Sequence, residues 1–146
     1  MTTIADGTRV THSNVDATAV GWLDPSQPHA TGSVDSAFFS ALVRLAANPW
    51  QPTASAGHHA CGFCRFTGGP GSVSHDGVTV VLGAAELWIP SDTAIFWAPV
   101  TIVHYIDAHG YRPPDAFVDA VRACPPMRSM AYLRALRAHG MSAKPT

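Results

Sequence analysis

The chain has 146 residues, a length that suits one domain, and only 13% of them are charged, well under the roughly 25% usual in soluble domains. A net charge of −1 excludes an acidic tail protein, a polybasic membrane binder and a strongly basic nucleic-acid binder. Leu, Ile, Val and Phe together number 31, while Ala alone numbers 23, so a thin apolar core with some further source of stability is expected.

Residues 1–20 are polar and aperiodic and read as a flexible N-terminal tail, with at most one weak strand over Ala19–Leu23. Pro25, Pro28 and Gly32 then make an irregular connector. Val34, Phe38, Leu42 and Leu45 follow helical spacing, which predicts a helix over Val34–Ala47. Ser33 or Asp35 can cap it, and Asn48-Pro49 stops it, because a residue before proline avoids helical dihedrals. Trp50–Gly57 reads as loop and leads into a Cys/His-rich stretch. Gly68-Gly69-Pro70-Gly71 lacks the lysine and following helix of a phosphate loop and reads as plain loop. The valine-rich run Gly77–Leu82 predicts a strand, Gly83-Ala84 a turn, and Ala85–Ile89 a second strand closed by Pro90. Thr93–Trp97 predicts a third. Pro99 suits the first turn of a helix that reaches His109 and ends at Gly110. Asp115–Ala123 and Met127–His139 complete the helices. The order predicts an α+β fold, with a small antiparallel sheet and three to four helices in one domain over residues 21–140, and a C-terminal tail over 141–146.

The chemistry lies in cysteine and histidine. Zinc prefers thiolate sulfur and imidazole nitrogen in a tetrahedron, and a C-x2-C turn with two later helical histidines supplies both. Cys61 and Cys64 are the first pair, and His104 and His109 the candidate second. The five-residue step between the histidines sets them about 140° apart on a regular helix, so they share a face only if the last turn loosens near Gly110. His59, in the pattern H-x-C-x2-C, is the alternative fourth ligand, and His58 a poorer one. The residues after Cys64 do not start a helix, which argues against a redox C-x-x-C. Cys124 reads as a core residue. The odd cysteine count points away from an extracellular disulfide framework and toward a reduced, cytoplasmic setting.

The pattern His59-x-Cys61-x-Phe63-Cys64, Glu86-x3-Pro90, Ala98-Pro99-x4-His104-Tyr105-Ile106-x2-His109-Gly110-Tyr111-x-Pro113-Pro114 resembles a family of small actinobacterial proteins. The likeness runs from about Trp22 to Val121. It implies a free-standing cytoplasmic bacterial protein and points to His59, Cys61, Cys64, Glu86, His104 and His109, without naming a substrate.

Two functions follow. In the first, zinc is mainly structural and the domain acts by binding a protein partner or as a regulator. In the second, three protein ligands leave an open position for water, and Glu86, the only glutamate, acts as base in a small hydrolase or lyase. The deaminase signatures H-x-E and P-C-x-x-C are both missing. Residues 1–110 carry three Arg against eight acids, whereas residues 111–146 carry five Arg and one Lys against two Asp. So few cations on the C-terminal face make nucleic acid an improbable partner. No run of 18 apolar residues occurs that could span a membrane. Trp22, Trp50, Trp88 and Trp97 read as core, although an exposed Trp50 would mark a partner surface.

Overall fold

The computed structural model describes residues 4–12, 15–50, 60–64 and 67–141. Its elements are β1 (Arg9–His12), β2 (Val15–Ala19), α1 (Ser36–Ala46), β3 (Ser72–His75), β4 (Val78–Val81), β5 (Glu86–Pro90), β6 (Ile95–Pro99), α2 (Ile102–His109), α3 (Asp115–Ala123) and α4 (Met130–Ala138). The fold is α+β.

The first correction concerns the N-terminus. Val15, Ala17 and Ala19 are buried on one face of β2 while Asp16 is exposed, so a period-two alternation hides in small residues. β1 and β2 pair antiparallel, and residues expected to form a loose tail are two strands of the main sheet. That sheet has the order β1-β2-β6-β5. It is mixed rather than wholly antiparallel. β2 runs parallel to β6 through Thr18↔Phe96 and Ala19↔Trp97, and β5 and β6 pair antiparallel through Trp88↔Trp97. A parallel pair needs a long crossover, and the intervening chain with α1 provides it.

The second correction concerns pairing. β4 does not turn through Gly83-Ala84 to join β5. It pairs with β3 in a separate two-stranded sheet, across a turn whose residues Asp76 and Gly77 have φ of 50° and 77°. Two positive φ values match the twist of a tight hairpin, and Asp-Gly is the sequence that tolerates them.

The helices follow the sequence reading closely. α1 packs on α2, α3 and β4, while α3 and α4 lie against β5. Phe117 of α3 is fully buried, its ring 6.4 Å from Phe38 of α1 and 5.7 Å from Phe96 of β6. Pro99 closes β6 rather than opening a helix, so α2 begins later than expected. α4 is capped by Ser129, whose Oγ accepts the Tyr132 N–H at 3.2 Å. From α4, the Tyr132 hydroxyl donates to the Trp88 carbonyl at 2.6 Å. Trp50 is buried beside Tyr132 and presents no partner surface. Cys124 is half-buried and packs against the edge of the core, and burial pushes its thiol up to about 12.

Candidate metal centre

The site joins a tight loop to the end of a helix. In the loop, the Cys61 N–H donates to the Gly68 carbonyl at 2.6 Å. The Cys64 carbonyl in turn accepts the Gly68 N–H at 2.9 Å and the Thr67 N–H at 3.3 Å. These bonds fold the chain back on itself and turn both thiols to one side. Gly69 follows with φ +103°, and a Cβ there would lie 3.1 Å from the Cys61 Cβ and 3.7 Å from His104 Nε2. Glycine is therefore required twice over, for its dihedral and for its missing side chain. The glycine run read as plain loop is the seat of the cysteines.

In α2 the regular geometry gives way at its end. The Gly110 N–H bonds five residues back to Tyr105, and the Tyr111 N–H reaches the same carbonyl at 3.2 Å, six residues back. Gly110 takes a left-handed conformation, φ 66°. A turn closed this widely holds more residues, so positions five apart are drawn toward one face. That is the loosening the His104–His109 step requires, and their Nε2 atoms meet at 3.3 Å.

All four ligand atoms lie within 4.8 Å of one another. Cys64 Sγ is 3.3 Å from His104 Nε2 and 3.6 Å from His109 Nε2, and Cys61 Sγ is 3.5 Å from His109 Nε2. A tetrahedron built on ordinary zinc–sulfur and zinc–nitrogen lengths has S···N edges of about 3.6 Å and an N···N edge of about 3.3 Å. Three S···N separations and the N···N separation lie near these lengths, and the remaining pairs lie within 4.8 Å. Hydrogen bonding alone does not account for them, since a neutral imidazole carries at most one N–H at Nε2. Here His109 Nε2 faces two sulfurs and a second imidazole nitrogen at once. The four residues fit a bound metal, and two sulfurs with two nitrogens in a tetrahedron suit zinc.

Electrostatics sharpen the fit. Burial is the main cause raising the Cys61 thiol pKa, opposed by backbone N–H groups of Phe63 and Cys64 and reinforced by the neighbouring Cys64 side chain. Burial also holds His104 below the usual histidine range, with His109 adding to the effect. A neutral imidazole is the form that ligates a metal. Tyr105 is pushed up to about 12, mainly by burial and secondarily by Cys61, Asp24 and Cys64.

The surroundings hold the loop in place. The Phe63 ring lies 5.2 Å from His109 and 5.3 Å from His29, and a Cβ on Gly62 would come within 2.9 Å of the Pro25 ring. The loop carrying Pro25 and His29 therefore abuts the cysteine loop, a contact that the sequence did not signal. His58 and His59 lie outside the described residues. Glu86 is not brought into the group. It sits at the start of β5, where its carboxylate accepts the Trp97 indole N–H at 3.0 Å. Cys124 stands apart as well, its thiol donating to the Pro125 carbonyl at 3.3 Å. No helix among the described residues is long and apolar enough to cross a membrane.

The chain belongs to the family described as a domain of unknown function, DUF7919, whose model matches residues 2–122. The matched span contains all four clustered residues and both N-terminal strands. No curated protein and no solved structure matches the chain.

Proposed function

We propose that this family member is a small zinc-binding domain in which the metal is structural, held by Cys61, Cys64, His104 and His109, and that the domain works by binding a protein partner or regulatory ligand. One observation carries the reading: three of the S···N separations and the N···N separation, at 3.3–3.6 Å, are close to the edge lengths expected of a zinc tetrahedron. Zinc bound there would supply folding energy by tying the loop to α2. Four protein ligands leave no open position for a reacting water, and the carboxylate of Glu86 is engaged with Trp97. A hydrolase or lyase built on Glu86 is therefore the weaker reading. The three cysteines are free, so the reading goes with a reducing compartment such as the cytoplasm of the bacteria whose small proteins the chain resembles.

The test is metal analysis of protein purified without added metal. One zinc per chain is expected, lost in Cys61→Ser and in His104→Asn, and chelation should lower the melting temperature. Substoichiometric metal together with a melting temperature indifferent to chelator would overturn the proposal.

A further inference from the structure

A pocket of about 340 Å³ that shares no residue with the Cys/His cluster opens where α1 and α3 end. Its volume falls in the range of small-molecule sites. Leu45, Val121 and Met127, all buried, give it an apolar floor. Arg44, Asn48 and Arg122, all exposed, line its rim. Among the described residues no carboxylate lines it.

The rim has donors to spare. Arg44 makes no ion pair among the described residues. Arg122 makes one, a 3.7 Å contact with Asp35 in which both side chains are about half exposed, and such a pair contributes little. A guanidinium carries several N–H donors, so this contact leaves most of them unused. Arg128 adds a third cation. Its Nη2 donates to the Pro49 carbonyl at 3.2 Å, at the residue after Asn48, and its backbone φ is 69°. Glycine takes that conformation freely, so the chain holds an arginine there against its backbone preference. The helix ends explain part of the charge. Arg44 and Arg122 lie in last turns, which carry about half a negative charge each. Three guanidiniums outweigh those two half charges and Asp35 together. Neither helix end requires an apolar floor between the cations.

We propose that this pocket binds a small organic monocarboxylate, its head among the Arg44, Arg122 and Arg128 guanidiniums and a compact apolar body on Leu45, Val121 and Met127. A planar guanidinium matches a carboxylate in geometry as well as in charge. An organic cation is the wrong occupant, because the rim repels it and no carboxylate among the described residues lines the pocket to receive it. An inorganic anion would leave the apolar floor in water, and a neutral molecule would leave the cations unmatched. The site goes beyond the zinc reading and does not depend on it.

The experiment is a titration of the full-length protein at neutral pH and low ionic strength, followed by the Asn48 amide and the methyl resonances of Leu45, Val121 and Met127. The probes are phenylacetate, phenethyl alcohol and phenethylamine, which share one body, and acetate, which lacks it. Saturable shifts of these resonances are expected with phenylacetate, at least about fivefold tighter than with the alcohol, and the amine and acetate should bind most weakly. Added salt should shrink the advantage of phenylacetate over the alcohol. Arg44→Gln should erase most of that advantage while leaving the affinity for the alcohol unchanged, and Arg128→Gly should weaken phenylacetate at least about twofold. Equal affinity for phenylacetate and the alcohol, tighter binding of the amine, acetate binding as well as phenylacetate, or no shift of these resonances with phenylacetate at about 10 mM overturns the proposal. The comparison among probes on the wild-type chain separates these outcomes without any variant.

Discussion

Cys61 and His104 show how burial prepares a ligand and makes it sensitive to pH. Without metal, burial favours the protonated Cys61 thiol, so a metal has to displace a proton there, and binding must strengthen as pH rises. Zinc release on acidification is the expected outcome, read with a colorimetric chelator between pH 8 and pH 5. For the chelated protein the His104 shift sets a second dependence. Its folded-state pKa is lowered, so the unfolded chain takes up the proton first. The stability associated with neutral His104 is full above the ordinary histidine value and declines as pH falls through about 6.5. Melting temperatures of chelated protein across that window check the sign, and His104→Gln should flatten the decline. Gly69 offers a test that leaves every ligand in place. Gly69→Ala puts a Cβ at φ +103° and 3.1 Å from the Cys61 Cβ, which should cost about 1–3 kcal/mol and weaken metal retention under competition with a chelator. At this scale the ligand types were legible, because C-x2-C and a histidine pair are local spacings. Gly69 was not, because its constraint comes from His104 and Cys61 across the loop. Nor was His29, whose neighbours Phe63 and Tyr111 lie far along the chain.

Among the elements, those defined by one face and one pair of stops were readable. α3 spans Asp115–Ala123 as its apolar positions and flanking prolines predict, and α1 differs from its expected range by a residue or two at its ends. The strands were harder. β2 buries alanine where a strand signal needs valine, and β3 is serine-rich, so neither stood out. β4 was visible but its partner was not, since the Asp76-Gly77 turn competes with Gly83-Ala84, and packing of β4 on α1 goes with the former. Between elements, the Tyr132 hydroxyl on the Trp88 carbonyl is a buried tie from α4 to β5. Tyr132→Phe removes that bond and should cost about 1–3 kcal/mol, seen as a lower urea midpoint with an unchanged slope.

For the whole molecule, two kinds of stabilisation can be separated by experiment. Phe117 sits where α1, α3 and β6 meet, and Phe117→Ala should cost about 3–5 kcal/mol whether or not a chelator is present. Cys61→Ser should lower the melting temperature when metal is available and make little difference once metal has been stripped. Thermal scans of both variants, with and without chelator, distinguish core from metal. Composition and patterns only a few residues long were enough to read the low charge, the large share of alanine among the apolar residues, the α+β class and three candidate donors, Cys61, Cys64 and His104, with His109 or His59 left open as the fourth. Long-range packing was needed to make the N-terminal segment part of the sheet and to pair β4 with β3. It also brought Sγ and Nε2 atoms from positions 40 or more residues apart to within 4.8 Å. The reason is physical: local spacing fixes which face a side chain occupies, but convergence across such a gap depends on how the loop and α2 are held together, and that is decided by packing between residues distant in the chain.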